Sequence, residues 1–286
     1  MILAKRILKE RFVIMENSSF VRFFTKIHKL LFASLLFTIS LAVFTGVFAL
    51  IGWLSGFNNV VLWMLALIPA YPFYAGLVLV IRKYAVDKID CNIPEVFFTA
   101  VKTDWKKSLL NGIAFYIVLI CSIFAVMYYG TMMINNVNYA SIFTIYLIFS
   151  LALLGAMFYV SVITVTYDLK IRDIYKNSFI MLVAKILRSI CALILTAGVS
   201  FLFYLFLDFS GGIYSVFTFV ITALLYPLVI TYIYVSVISK GIQEGLGSFV
   251  VEPEKNEVIV SGELEYDESS DYIFVNGKMV RNPNKN

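Results

Sequence analysis

The residues that could do chemistry in this chain are few and lie far apart. Its single histidine, His28, precedes the first long apolar stretch beside a lysine, and its three cysteines form no CxxC pair. Metal sites need clustered ligands, and nucleophilic catalysis needs a base beside the nucleophile. The sequence contains neither arrangement, and no Walker motif or glycine-rich phosphate loop occurs. The pattern predicts a protein that is not an enzyme and has no cofactor or metal.

Asp168 is the best single candidate for a polar functional role. Proton-coupled carriers commonly place an ionisable residue within the bilayer, where it binds and releases the ion. Asp168 follows Tyr167 at the end of the fourth apolar stretch, and none of the six stretches contains an ionisable side chain of the Asp, Glu, Lys, Arg or His type. The same residue also suits the N-cap of a following helix, and this is the interpretation that we favour.

Serine and threonine supply many of the polar groups inside the apolar stretches. None has a base beside it, so we expect each hydroxyl to bond its own helix backbone or a neighbouring helix. The residues concerned are Ser34, Thr38, Ser161, Thr164, Thr166, Thr222 and Thr231.

Six apolar stretches are each long enough to cross a bilayer as a helix, which takes roughly 20 residues. Of the 286 residues, 61% are hydrophobic and 14% are charged, against about 45–50% and about 25% in soluble domains. The stretches are Leu30–Trp53, Val60–Ile81, Leu109–Gly130, Ala140–Thr166, Ile190–Leu207 and Ile213–Ile238. The sequence therefore predicts an all-α polytopic membrane protein with a six-span domain over residues 30–238.

The cations alternate strictly between the segments that separate these stretches. All 23 lysines and arginines fall in residues 1–29, 82–108, 167–189 and 239–286. Residues 54–59, 131–139 and 208–212 contain none. Because short cation-rich loops stay in the cytoplasm, both termini are predicted to be cytoplasmic. Topology and anionic lipid headgroups explain the cations better than nucleic acid does.

The two long cation-rich loops each predict an amphipathic helix that lies along the inner membrane surface and runs into the next span. In the first, Pro94 suits the first turn of a helix. The apolar stripe that follows consists of Phe97, Val101, Trp105 and Leu109. The stripe of the second consists of Ile171, Ile174, Tyr175, Phe179, Leu182 and Ile186. Candidate contacts to lipid headgroups or a partner are Lys102, Trp105, Lys106, Lys107, Arg172, Lys176 and Arg188.

The two loops also resemble each other. They align at an offset of 81 residues, which pairs Phe98 with Phe179, Lys107 with Arg188 and Ser108 with Ser189. A duplicated hairpin would produce this likeness. Any two basic interfacial helices would also look alike, and both interpretations stay open.

Prolines mark the second and sixth spans. Pro69 and Pro72 stand three residues apart, where they free backbone carbonyls and kink a helix, and Pro227 is a single counterpart. Kinked helices often line cavities in transporters, but many such prolines are only structural, and we favour that interpretation. The candidate cavity or kink residues are Pro69, Tyr71, Pro72, Tyr74, Tyr226 and Pro227.

The two ends of the chain lie outside the six-span domain. Residues 1–29 form a basic N-terminal segment. Residues 1–14 are either an upstream start choice, with Met15 as the alternative start, or a basic amphipathic lead. Residues 239–286 form an acidic tail, and Asn276-Gly277 predicts a type I′ hairpin within it. The tail either docks on the basic inner loops, binds a partner or is loosely ordered.

Four segments between residues 18 and 240 carry a family resemblance: the opening SSFVRFFTKIHKLLFASLLFTI, then IPAYPFYAGLVLVIRKYAVDK, FFTAVKTDWKKSLLNG and TYDLKIRDIYKNSFIMLVAKILRS. Together they resemble the YesL-like family of bacterial integral membrane proteins. The first outer segment lacks the family's usual proline–threonine–glycine run, and the acidic tail looks like an extension. The resemblance implies a bacterial cytoplasmic-membrane protein of a kind often associated with carbohydrate uptake.

Three functional hypotheses follow. The leading one is a non-enzymatic accessory subunit of a membrane assembly such as a carbohydrate ABC transporter, with transporter subunits and membrane lipids, including anionic headgroups, as partners and no nucleic acid. The second is a stand-alone membrane carrier or channel with a path near the prolines. The third is a lipid-binding membrane protein.

Overall fold

The structure is a computed structural model of the chain, and it describes residues 26–57, 59–210, 214–246, 272–275 and 278–281. The basic segment before residue 26, the acidic stretch 247–271 and the Asn276-Gly277 turn lie outside the described residues. So does Ile213, the predicted start of the sixth span.

Six spans in the described part of the chain are long and apolar enough to cross a membrane, which confirms the predicted number. The first is α1 (Ile27–Ser55), and the second is divided between α2 (Val60–Met64) and α3 (Leu67–Arg82). They are followed by α4 (Ile93–Asn135), α5 (Ala140–Thr166), α6 (Ile171–Ala184), α7 (Ile186–Asp208) and α8 (Tyr214–Leu246). A π-helical turn, Lys83–Asp87, extends α3, and a 3₁₀ turn, Val137–Tyr139, precedes α5.

The second span breaks where Pro69 predicts a break. Proline has no N–H for the carbonyl four residues earlier, and its ring clashes with that carbonyl. That residue is Leu65, which lies with Ala66 in a turn between α2 and α3. The Leu65 carbonyl instead accepts a hydrogen bond of 3.1 Å from the Ile68 N–H.

The first inner loop contains a helix that runs into the third span, as predicted, and this helix is the beginning of α4. Pro94 occupies the first turn, as predicted, and the backbone leaves helical geometry only at Asp104, with φ −117° and ψ 22°. The buried face consists of Phe97, Ala100, Asp104 and Ser108, which are spaced three or four residues apart before and after the kink. Trp105, which was predicted to share the stripe with Phe97, is 51% exposed.

The second inner loop repeats this design at the offset of 81 residues. Lys185 separates α6 from α7 with φ −116° and ψ 43°, and it stands 81 residues after Asp104. Buried residues recur at the same offset in Ile93 and Ile174, Phe97 and Ser178, Ala100 and Met181, Ser108 and Ser189, and Asn111 and Ala192. A duplicated hairpin predicts both features.

The buried core lies toward one end of the bundle. We name this the cation-rich end, because residues 83–92 and 167–170 connect the helices there, and we name the opposite end the cation-free end. Helix α1 buries Leu30, Ala33 and Phe37 near the cation-rich end, but Val47 and Trp53 beyond them are exposed. Helix α7 buries only Ser189 and Ala192, both in its first two turns. The helices are therefore closely packed at one end and loosely packed at the other.

Two short strands follow the helices. Strands β1 (Tyr272–Val275) and β2 (Lys278–Arg281) pair antiparallel, with Tyr272 opposite Arg281 and Val275 opposite Lys278. Strand β2 approaches α5.

Candidate intramembrane cavity

A cavity of about 790 Å³ lies among all six spans. Its wall is mostly apolar, with hydroxyl groups at intervals, and the described residues that line it include no Asp, Glu, Lys, Arg or His. Four of the six predicted cavity or kink residues contribute to the wall: Tyr71, Tyr74, Tyr226 and Pro227. Pro69 and Pro72 do not line it. The prolines of the second span therefore shape the helix that bears the lining residues.

A group of hydroxyls closes the cavity toward the cation-rich end. Tyr71 and Ser161 share a hydrogen bond of 2.8 Å, and the hydroxyls of Tyr74 and Tyr234 lie 2.5 Å apart. The Tyr234 ring stacks on Phe158 with 4.7 Å between ring centroids. We name Tyr71, Tyr74, Ser161 and Tyr234 the tyrosine floor. These hydrogen bonds join α3 to α5 and α8, so the floor holds three spans together between the cavity and the core.

Pro227 leaves one backbone carbonyl of α8 without its helical donor, and a side chain of α1 donates to this carbonyl instead. Proline cannot donate to the carbonyl of Ala223, four residues earlier, and this carbonyl accepts a hydrogen bond of 3.0 Å from the Thr38 hydroxyl. Ser34 similarly donates to the Leu224 carbonyl at 2.6 Å. Freed carbonyls in membrane helices are commonly satisfied by neighbouring hydroxyls. Both bonds confirm the prediction that these hydroxyls serve a neighbouring helix.

Pro72 has a similar effect where α3 meets α4. It cannot serve the Ile68 carbonyl, and Gly112 approaches this point so closely that a Cβ on the glycine would lie 2.9 Å from that oxygen. The same Cβ would lie 2.7 Å from the Tyr71 Cβ. Small residues permit such close helix packing in membranes. Gly112 thus sets the distance between the two helices that hold Tyr71 and Phe115 at the cavity wall.

Two hydroxyls in the cavity wall have no hydrogen-bond partner within the described structure. They are Thr196 on α7 and Thr222 on α8, and both oxygens are shielded from solvent. The prediction that Thr222 bonds its own backbone or a neighbour is therefore wrong. A hydroxyl without a partner in an apolar region costs free energy. Both oxygens lie behind other atoms of the wall, because neither has accessible surface toward the open space of the cavity.

A second pocket lies between the cavity and the cation-free end. It has a volume of about 400 Å³ and is lined by Leu207, Ser210, Ser215, Val216 and Phe219. Leu207 and Phe219 also line the large cavity. The two pockets therefore meet at these side chains, which lie near the end of α7 and the start of α8.

A separate polar network lies at the cation-rich end. Asn111 donates to the Thr164 hydroxyl at 2.9 Å and accepts from the Tyr175 hydroxyl at 3.0 Å. Burial raises the pKa of the Tyr175 phenol, which keeps it protonated as a donor. Asp168 pairs with Lys107 at 2.5 Å. Its predicted capping role is wrong, because α6 has Lys170 at its N-cap position.

The predicted inner-surface contacts divide into two groups. Lys107 is paired with Asp168, and Arg188 is paired with Glu244 at 2.5 Å, so both join segments of this chain. The other five are exposed side chains of the cation-rich end: Lys102, Trp105, Lys106, Arg172 and Lys176. Within this group the Lys106 ammonium lies 5.5 Å from the centroid of the Trp105 ring.

No group of three or more His, Cys, Asp or Glu side chains that could bind a metal occurs among the described residues. The chain matches no family model, no curated protein and no solved structure among those compared with it. The resemblance to the YesL-like family therefore stays a prediction.

Proposed function

We propose that this chain is a multi-pass membrane protein that binds an apolar or amphipathic molecule between its spans. The observation that supports the proposal is the cavity of about 790 Å³ above the tyrosine floor. Ligand sites are concave, mostly apolar, and occupy about 300–1,000 Å³, with a few polar groups that orient the ligand. The cavity has this size and this distribution of groups. The geometry thus favours the carrier and lipid-binding hypotheses over the accessory-subunit hypothesis.

The loose packing of α7 is consistent with this role. Ser189 and Ala192 near its start are buried, whereas Phe201, Leu202 and Tyr204 farther along are exposed. A helix that buries side chains only near its start is less constrained by its neighbours along its far half. Such a helix can accommodate molecules of different width.

Photo-crosslinking tests the proposal directly. The purified chain, in lipid nanodiscs, is irradiated with a long-chain alcohol that carries a diazirine in its chain, and labelled peptides are identified by mass spectrometry. We expect labels on cavity residues of α1, α7 and α8, with displacement by unlabelled hexadecanol. Labels that fall only on lipid-facing residues and resist displacement would overturn the proposal.

A matched pair of variants on α7 controls for the bulk of the new side chain. Ala197 lines the cavity, whereas Ile194 on the same helix lies outside the lining and is 66% exposed. Ala197→Trp fills the cavity and is expected to abolish displaceable labelling. Ile194→Trp adds the same ring on the lipid side and is expected to retain it. Thermal unfolding of both variants verifies that they are folded.

A second candidate is the accessory subunit of a membrane assembly. It is favoured by the exposed aromatic and basic side chains at the cation-rich end, around Trp105 and Lys106. Aromatic and arginine side chains are enriched in protein interfaces, but basic side chains at this position also suit anionic lipid. Co-purification in mild detergent separates the two. Recovery of transporter subunits supports the assembly, and a chain that always elutes alone counts against it.

We also propose that the protein resides in a bacterial cytoplasmic membrane with its cation-rich end in the cytoplasm. The support is the strict alternation of cations between the connecting segments. A reporter that is active only in the cytoplasm should therefore be active when it is fused after residue 286. An inactive fusion that is stably produced would contradict this orientation.

A further inference from the structure

We infer that the cavity opens sideways into the bilayer between α5 and α7, and that it takes up one acyl chain of a membrane lipid whose headgroup stays outside. The inference rests on the proposed function and adds the source of the ligand and its route. It is supported by the packing of the spans, by the side chains at the opening and by a difference between the two similar hairpins.

The spans surround the cavity in chain order, and one seam of this ring is weakly packed. Helix α1 packs against α3, α3 against α4, α4 against α5, α7 against α8, and α8 back against α1. Between α5 and α7 the packing is sparse. Near the cation-rich end the Tyr159 hydroxyl lies 2.9 Å from the Ser189 hydroxyl, and one turn farther along Gly155 faces Leu193. The seam between α5 and α7 therefore widens toward the cation-free end.

Leu151 and Ala197 mark the two edges of this seam. Helices α5 and α7 are antiparallel, so one turn beyond the contact of Gly155 with Leu193 lie Leu151 on one helix and Ala197 on the other. Both residues line the cavity, yet Leu151 is 41% exposed and Ala197 is exposed as well. They are therefore placed where the wall of the cavity meets the outer surface of the bundle.

A difference between the two similar hairpins accounts for the open seam. In the first hairpin, Gly112 lets α4 approach α3 so closely that a Cβ on the glycine would lie 2.7 Å from the Tyr71 Cβ. Leu193 stands at the equivalent position of α7, 81 residues later. Its Cδ1 would lie 3.4 Å from a Cβ on Gly155, so a leucine side chain fills the space between α5 and α7. Helix α7 therefore cannot approach α5 as closely as α4 approaches α3.

The surroundings of the seam determine what can pass through it. Leu151 and Ala197 lie within spans, so between them the cavity faces the hydrocarbon core of a bilayer. An acyl chain crosses this apolar edge from one apolar environment to another, whereas a sugar or an ion would first have to lose its hydration. A phospholipid headgroup needs no counter-charge in the cavity, because it stays among the other headgroups. The seam therefore favours a lipid chain over a water-soluble substrate.

A phospholipid with a diazirine in one acyl chain tests the source of the ligand. It is incorporated into the nanodiscs that contain the purified chain, where its headgroup keeps it in the bilayer, and the sample is irradiated. We expect labels on deep lining residues such as Tyr74 and Phe158 in addition to labels on lipid-facing side chains. Labels confined to the lipid-facing side chains would overturn the assignment of an acyl chain.

A reversible bridge across the seam tests the route. Leu151→Cys and Ala197→Cys are introduced into a chain whose native cysteines are replaced by serine, and a bifunctional methanethiosulfonate joins the pair. We expect the bridge to abolish labelling of the cavity by photoreactive alcohol that is added afterwards, and a reducing agent should restore the labelling. A monofunctional methanethiosulfonate on the same pair controls for added bulk and should leave the labelling in place.

Two results would overturn the route. Full labelling of the bridged protein would mean that the ligand enters elsewhere, for example through the second pocket. Thiols that both react without forming a bridge, as judged by intact mass, would mean that Leu151 and Ala197 do not face each other across a seam.

The outcomes distinguish this inference from the proposed function. If the alcohol labels the cavity but the phospholipid chain does not, or if the bridge has no effect, the cavity binds a ligand that has another source or route. If neither probe labels the cavity, both proposals fail.

Discussion

The hydroxyls of Tyr74 and Tyr234 lie 2.5 Å apart and join the second span to the sixth. Tyr74 lines the cavity, and Tyr234 stacks behind it on Phe158. This hydrogen bond therefore lies at the boundary between the packed core and the open half of the bundle. The helices are closely packed on the cation-rich side of this boundary, and the cavity lies on the other side.

Removing both of these hydroxyls should cost less free energy of unfolding than the sum of the costs of removing each one alone. Tyr74→Phe or Tyr234→Phe alone leaves a buried hydroxyl without its main partner, at a cost of about 1–3 kcal/mol in the free energy of unfolding. The double variant removes both groups, so its cost should be smaller than the sum. Reversible unfolding in mixed micelles measures the coupling, which should be about 0.5–1.5 kcal/mol. Strict additivity would mean that the hydroxyls do not interact.

A side chain at Gly112 should destabilise the fold. Its Cβ would lie 2.7 Å from the Tyr71 Cβ and 2.9 Å from the Ile68 carbonyl oxygen, so Gly112→Ala forces α3 and α4 apart. We expect a loss of about 1–3 kcal/mol, which is typical of overpacking.

Gly198 on α7 is the matched control for this substitution. A Cβ there meets nothing within 4 Å. Gly198→Ala should be neutral or should stabilise the helix by up to about 1 kcal/mol. The thermal midpoints of both variants in the same detergent provide the comparison, and equal midpoints would contradict the close approach of α3 and α4.

The role of Thr38 should depend on Pro227. Thr38→Val leaves the Ala223 carbonyl without its donor, and we expect a cost of about 1–3 kcal/mol. In a Pro227→Ala background the new backbone N–H can serve that carbonyl, so the same substitution should cost less. A double-mutant cycle in unfolding free energy measures the difference. An equal cost in both backgrounds would show that Thr38 does not compensate for the proline.

Cys91 offers a test of topology with a residue of the chain itself. It lies at the cation-rich end, half-buried, and burial raises the pKa of its thiol above the ordinary value. In the Cys121→Ser, Cys191→Ser variant, a membrane-impermeant maleimide should label it only in inside-out vesicles. Because the thiolate is the reactive form, the rate should rise more steeply above pH 8 than the rate of an exposed thiol. Labelling in intact cells would contradict the predicted orientation.

Much of the fold follows from local properties of the sequence. Hydropathy alone places the six spans, since each requires about 20 apolar residues wherever it lies. Pro69 predicts the break at Leu65 because the cause and the effect are four residues apart. The outward position of Trp105 could not be predicted in the same way. Spacings of three and of four residues both fit a helical face, and packing against neighbouring helices buries Ala100 and Asp104 and leaves Trp105 exposed.

The candidate site depends on contacts that no local pattern encodes. Thr196 and Thr222 are lining residues of the same cavity because α7 and α8, which bear them, pack against each other. Asp168 pairs with Lys107, 61 residues earlier, so its neighbours in sequence suggested a cap that does not form. The one available signal was the run of hydroxyls and small residues in the fifth and sixth spans. That run indicates polar contacts without saying which hydroxyls remain unpartnered.

The central claim is that a molecule occupies the cavity between α7, α8 and the tyrosine floor. A cryo-EM map of the chain in lipid nanodiscs, with a bound antibody fragment to add mass, tests it most directly. We predict elongated density within the cavity that extends from the tyrosine floor toward Leu207 and Phe219. A map in which α7 packs against α3 and leaves no cavity, or in which the cavity contains no density, would contradict the account.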